Sequence, residues 1–414
     1  MSAALALDVA AVRAQFPALA SGTAFFDGPG GSQTPLRVSV AMSEAMVAGL
    51  SNRDRGTATG RRADDIVLAA RSAIGDLLGS APESVVFGRS MTALTFDFAR
   101  TLSRGWGPGD EVVVTSLDHD ANIRPWVHAA EAVGAQIRWA HFDPETGELP
   151  IAAFEQVITE RTRLVAFTGA SNILGTRPDV AAVTELAHHV GALAFLDAVH
   201  LVPHAGVNRG EMNVDVVACS PYKFFGPHIG VLAARPELLE SMSPDKLAPS
   251  PEQVPERFEL GTLPYEVLAG VTAAVDFLAS TAPRTPQTQP ADRRADLQAA
   301  YRAIHHHEMD LLARMEAAFE QIAGVRCYSR AALRTPTSYF SLSGITSAEV
   351  SARCATASIN APSSHFYAVE ASARLGLGTG GAIRAGLSPY NTAAEVDALV
   401  EVVRHAAEYP HGGV

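Results

Sequence analysis

The sequence predicts an α/β protein with a mostly parallel sheet covered by helices and a smaller α+β unit toward the C-terminus. Three observations carry this expectation. Short apolar runs alternate with helix-period segments from Val85 to Ala233. Several of those runs are apolar at almost every position, as strands buried on both faces require. The alternation ends at a connector rich in Thr, Pro, Gln, Asp and Arg, residues 281–295, after which one long helical pattern and a few isolated strands follow.

In chain order, Met1 to Phe16 reads as an amphipathic helix. Asp8 and Arg13 break its apolar run, and it has neither the basic start nor the unbroken apolar stretch of a signal peptide. Val85-Val86-Phe87 forms a strand before a helix from Thr92 to Leu102. Glu111 to Thr115 forms the next, before a helix starting near Asn122. Leu164 to Phe167 leads through a Gly/Ser/Asn loop to a helix over 180–190, and strands over 192–196, 214–218 and 229–233 complete the set. Past the connector the pattern predicts a helix over 297–322, strands near 325–328, 338–342 and 382–387, and a closing helix over 393–409. This divides the chain into a large domain (18–280) and a small one (1–17 with 296–414).

The bulk composition narrows the function. At 414 residues, with 47% hydrophobic and 18% charged side chains, the chain suits a soluble enzyme with a sizeable core. A formal charge of −12 argues against nucleic acid or anionic membrane as a partner, since both need basic surface. Three cysteines form neither a disulfide framework nor a paired metal motif, so a reducing, cytoplasmic location is expected. No stretch approaches a membrane span. His305-His306-His307 point in different directions on a helix, and no metal site is expected. A dinucleotide-binding reading fails because Gly28-Pro29-Gly30-Gly31 runs into Pro35 without the required helix start.

The chemistry concentrates in two segments, Phe195-Leu196-Asp197-Ala198-Val199-His200 and Ser220-Pro221-Tyr222-Lys223-Phe224-Phe225-Gly226-Pro227. Each is an apolar strand that stops at a polar cluster, and ligands of such sheets bind at the carboxyl ends of the strands. Lys223, between two aromatic residues after a buried strand, is well placed to form a Schiff base, although a lysine on a loop can also simply reach solvent. Asp197 at its strand end reads as a partner for a protonated pyridine nitrogen or as a helix cap.

With Phe25-Phe26-Asp27 near one end and Tyr390-Asn391-Thr392 near the other, these motifs resemble the class V group of fold type I pyridoxal-phosphate enzymes. Among these, the chain is most similar to the cysteine desulfurase-like branch. The resemblance implies a mostly parallel seven-stranded sheet flanked by helices, pyridoxal 5'-phosphate as cofactor, and a homodimer with active sites shared across the interface.

Residue by residue, it assigns Lys223 to the Schiff base, Asp197 to the pyridine nitrogen and His119 to stacking on the ring and proton relay. Asn172 would contact the phenolic oxygen, and His200 stands beside the ring where desulfurases carry glutamine. The Arg89-Ser90-Met91-Thr92 turn matches the phosphate loop, leaving Thr92 and the amides of Met91 and Thr92 as donors. Ser220 and Tyr222 add hydroxyls, with Tyr222 in place of a histidine. Gly261-Thr262 matches the segment through which a partner subunit reaches the phosphate. Arg384, in Gly381-Ala382-Ile383-Arg384-Ala385-Gly386-Leu387, matches the arginine that takes the substrate carboxylate. Gly30, Asn52, His365 and Tyr367 join it as substrate-side candidates, whereas Arg124 and Trp126 read as solvent-exposed.

The pattern breaks at the loop Asn360-Ala361-Pro362-Ser363-Ser364-His365-Phe366-Tyr367-Ala368, where Tyr367 stands about where a desulfurase has its cysteine. Cys354 falls in a helical stretch and Cys219 at a strand end, positions of structural thiols. The expected activity is therefore a PLP-dependent conversion of a small α-amino acid through an external aldimine and a quinonoid. A desulfurase-like C–S or C–Se lyase is favoured, though without the usual cysteine. An aminotransferase or epimerase of secondary metabolism is the alternative, and a non-catalytic scaffold keeping the fold is a third.

Overall fold

A computed structural model describes residues 6–283 and 292–410. Its centre is a seven-stranded sheet in the order Val85–Gly88, Gly230–Ala234, Val216–Cys219, Leu193–Asp197, Thr162–Thr168, Glu111–Thr115, Gln136–Ala140. Only Gly230–Ala234 runs antiparallel to its neighbours. Alternate residues of each strand enter opposite cores. Val113, Val165, Leu196 and Val217 face one side, and Val112, Val114, Ala166, Phe195 and Ala218 the other. Burial on both faces explains why these strands read as continuous apolar runs.

The sequence missed the edge strand Gln136–Ala140. It carries Gln136 and Arg138 and is only partly buried, so it lacks the apolar signature of its neighbours. Trp126 departs from expectation too. It is fully buried, packs edge-on against Phe195 at 4.9 Å and donates from its indole to Asn122 at 3.2 Å.

A second sheet of four antiparallel strands, in the order Ser363–Ser364, Ala382–Gly386, Thr337–Leu342, Val325–Cys327, packs on its own core. That core includes Phe319, Phe340, Ile383, Val396 and Val403. The long helix Arg293–Phe319 serves both bodies, with Leu297 and Ile304 in the main core and Leu312 and Met315 in the smaller one. The N-terminal helix is short, Val9–Arg13, and residues Val12 and Phe16 join the main core. Most of the sequence-predicted connector, residues 284–291, lies outside the described residues. Among the described residues, no helix is long and apolar enough to cross a membrane.

Two features join the bodies at the site. Ala24–Phe25 pairs in parallel with Ile359–Asn360, and Asp27 bridges to Gly386. This lays the Asp27–Gly31 turn over the small sheet, where a Cβ on Gly386 would meet Pro29 at 2.1 Å. Only glycine permits that approach.

Candidate active site

The parallel strands deliver their polar ends to one place. Asp197 ends the Leu193–Asp197 strand, and Ser220, Tyr222 and Lys223 follow Val216–Cys219. Asn172 follows Thr162–Thr168, His119 follows Glu111–Thr115, and Met91 and Thr92 open the helix after Val85–Gly88. These residues, with His200, line the inner part of a single cleft. The outer part, about 590 Å³, shares Lys223, His119, Asn172 and Tyr222 with it and adds Gly30, Tyr367 and Arg384.

The electrostatics follow from desolvation. Burial, with the positive charge of Arg384 close by, pulls the Lys223 amine down to about 7 even though Asp197 opposes the shift. The amine lies against the Pro29 carbonyl. Burial raises Asp197 to about 6, against the Val199 N–H, which donates to its Oδ1 at 2.9 Å, and against Lys223. His119 is pushed down to about 4 by burial and by the charges of Lys223 and Arg384, so it is a neutral ring at pH 7. Its Nδ1 accepts from the Ala121 N–H at 3.0 Å, which fixes the ring. His200 is also held neutral by burial, and its Nε2 meets the hydroxyls of Thr337 at 3.0 Å and Thr335 at 3.1 Å.

Anion-binding donors sit at one end of the cleft. Ser90 caps the helix Met91–Ser103 by accepting from Ala93, leaving the first amides of the helix facing outward. The turn can sit there because Gly230 lies beneath it; a Cβ would meet the Ser90 carbonyl carbon at 2.1 Å. Arg384 is 2% exposed, and burial lowers it to about 9, which leaves it a cation at neutral pH. It donates from Nη1 to the Asn172 carbonyl at 3.1 Å.

Among the described residues, buried polar atoms of the cleft without a hydrogen-bond partner include Asn172 Oδ1, His200 Nδ1 and Arg384 Nε. Unpartnered buried polar groups are costly, so this wall is built for a polar ligand. A phosphorylated pyridine aldehyde fits the donor set. It needs an amine, a carboxylate for its ring nitrogen, a flat ring to lie on and helix-terminal amides for its phosphate.

Other sequence candidates lie elsewhere in the single chain. Asn52 is exposed on a loop outside the cleft. Thr262 lines an adjoining groove of about 860 Å³ with Arg89 and Phe258, which shares Phe96 with the cleft. His365 sits behind the rim and accepts from the Tyr367 N–H at 3.1 Å. Sequence reasoning also missed cleft residues. Thr168 ends a strand one residue past the run that was read, while Phe96 and Phe366 carry no signal beyond being aromatic. Arg124 reaches the rim and pairs with Asp120 at 2.8 Å and with Glu370.

A mostly parallel sheet with a lysine, an aspartate and a histidine gathered at its strand ends has the framework of a pyridoxal-phosphate-dependent enzyme. The family model of class-V aminotransferases matches residues 24–399, and the chain belongs to that family. Its cofactor is pyridoxal 5'-phosphate. A Mycobacterium tuberculosis protein described as the uncharacterized protein MT3887 is 32% identical over 96% of this chain and 99% of its own length. The aminotransferase-like protein FGM3 of Gibberella zeae is 29% identical over 94% and 96%. The structure is similar to that of the cysteine desulfurase CsdA from Escherichia coli, with a TM-score of 0.84 and 27% identity over 97% of this chain and 98% of that one.

Proposed function

We propose that this enzyme acts on a small α-amino acid as a desulfurase-like C–S or C–Se lyase that uses no cysteine of its own as sulfur carrier. The observation carrying the amino-acid reading is the convergence of Lys223, Asp197, His119 and Arg384 on one cleft. A scaffold would need none of the four together.

Pyridoxal phosphate, when bound, supplies an aldehyde for imine formation and a ring that takes up the electron pair released at the substrate's Cα. The protein's own groups do the rest. Met91 and Thr92 amides, with the hydroxyls of Thr92, Ser220 and Tyr222, would hold the phosphate. Asp197 would keep a proton on the ring nitrogen, and His119 would lie flat against the ring. Lys223, with its amine brought down to about 7, is available near neutral pH both as nucleophile and as acceptor of the α-proton. Arg384 would take the carboxylate and so fix which bond at Cα faces Lys223.

The second reading, aminotransferase or epimerase, draws on the rim. Tyr367 stands there with 69% of its surface exposed, and none of the three cysteines lines the cleft. Cys219 and Cys354 are buried, and burial raises Cys354 to about 12. Incubation with candidate amino acids while following sulfide, pyruvate or alanine, keto acid and α-deuterium exchange separates these readings. Deuterium exchange without sulfide or selenide would end the lyase reading.

A homodimer is part of this proposal. The groove holding Thr262 also contains Phe87, Phe96 and Phe258, and Leu260 beside it is 62% exposed, an apolar surface suited to a second copy. Sedimentation at monomer mass would exclude it. The three free thiols suit a reducing, cytoplasmic setting.

A further inference from the structure

The rim of the cleft holds an unusual piece of backbone. Phe366 and Tyr367 are consecutive non-glycine residues with φ of 48° and 59°, a conformation that side chains rarely adopt. Such outliers persist only where the surroundings hold them, and here four hydrogen bonds do. The Asn172 side-chain amide donates to the Phe366 carbonyl at 2.9 Å, and the Asp120 N–H to the Tyr367 carbonyl at 2.8 Å. The Phe366 N–H donates to Ser364 Oγ at 3.2 Å, and the Tyr367 N–H to His365 Nδ1 at 3.1 Å.

The turn sends its two rings to two different groups. Tyr367 stacks on His119 with centroids 5.5 Å apart. Phe366 lies against Arg384, whose guanidinium carbon is 3.7 Å from the ring centroid. A cation over an aromatic face at that distance is attracted by the ring quadrupole, more strongly in a desolvated site. Asn172 holds both members of this pair, the arginine through its backbone carbonyl and the Phe366 backbone through its side chain.

We propose that Phe366 is a specificity-determining positioning residue, which fixes the plane of the Arg384 guanidinium so that the site selects ligands by their carboxylate. With one face of the guanidinium covered by the ring, an anion meets it edge-on, the direction in which two parallel N–H groups grip a carboxylate. The strained turn puts the ring there, and with Nη1 donating to the Asn172 carbonyl and Nε without a partner, the Nε–Nη2 edge of Arg384 is the pair of donors left for the ligand. The proposal rests on the reading of Arg384 as the carboxylate site.

The test measures binding of L-alanine and L-alaninamide to the holoenzyme by calorimetry and takes the ratio of affinities. The wild type is expected to prefer alanine. Phe366→Leu and Phe366→Met should each shrink that preference about tenfold, mainly by weakening alanine, the size expected for a desolvated cation–π contact. Phe366→Tyr, which keeps the ring, should retain it. An unchanged ratio in both ring-less variants overturns the proposal, and so does equal weakening of both ligands. If the wild type shows no preference, or Arg384→Ala keeps it, the carboxylate reading itself falls.

Discussion

The two walls of the cleft are built in opposite ways. The inner wall is made by strand ends of one sheet, so Asp197, Lys223, His119 and Met91 are placed by ordinary hydrogen-bonded backbone. The outer rim is made by a turn carrying two consecutive left-handed aromatic residues and held by side chains from distant segments. Each such residue costs about 1–3 kcal/mol. The inner wall has one comparable residue, Phe225, and its ring is offset by core packing against Phe16 and Phe277. Phe366 is only partly buried, packing edge-on against Tyr339 and over Arg384, and Tyr367 is mostly exposed, so less core packing stands behind their strain. On the proposed reading, cofactor binding rests on regular sheet ends, whereas ligand selection is assigned to a part that carries strain.

The largest effects should come from breaking the inner wall. Lys223→Ala should abolish the visible absorbance of the bound cofactor and cost at least about 10³-fold in kcat. Asp197→Asn should leave the cofactor bound but lower kcat by about 10²–10³-fold, because a neutral amide does not hold the ring nitrogen protonated. Retention of full activity by either variant would break the comparison at its base.

Changes at the rim should be smaller and of another kind. Tyr367→Ala should change kcat by less than about tenfold and leave the cofactor spectrum intact, since Tyr367 is mostly exposed and its ring contact in the cleft is with His119. A lost spectrum would show that the rim also holds cofactor.

The smallest effect is on the pH dependence of stability in the cofactor-free protein. Lys223 is brought down from 10.5 to about 7, so between those values the unfolded chain binds more protons and stability rises with pH. Asp197 is raised from 3.8 to about 6, so its contribution is complete below 3.8 and is lost as pH climbs through 6. Lys223→Met should therefore raise the melting temperature more at pH 6 than at pH 10. An equal gain at both would show that the amine is not desolvated.

Much of the inner wall was legible before any coordinates. Asp197 and Lys223 lie next to apolar runs, and the rule that ligands gather at the carboxyl ends of parallel strands brings them together without further information. His200 was legible as a neighbour of the site, but not its two threonine partners, Thr335 and Thr337, more than a hundred residues away. Phe366 was passed over between His365 and Tyr367 because nothing in a loop sequence says which of three adjacent rings turns inward. Trp126 was misplaced for a similar reason, its burial being set by packing against Phe195 rather than by its own helix.

The sequence by itself determined the fold class and, through its resemblance to the class V enzymes, the cofactor; it also set Asp197, Lys223 and His119 after apolar strand runs. Apolar periodicity and the polar groups at strand ends are local properties, and they survive in one dimension. Only the tertiary structure decided that Gln136–Ala140 completes the sheet, that the Asp27–Gly31 turn lies over Gly386, and that Phe366 covers Arg384. Those outcomes depend on contacts between distant segments, where packing and the pairing of buried polar groups outweigh local preference.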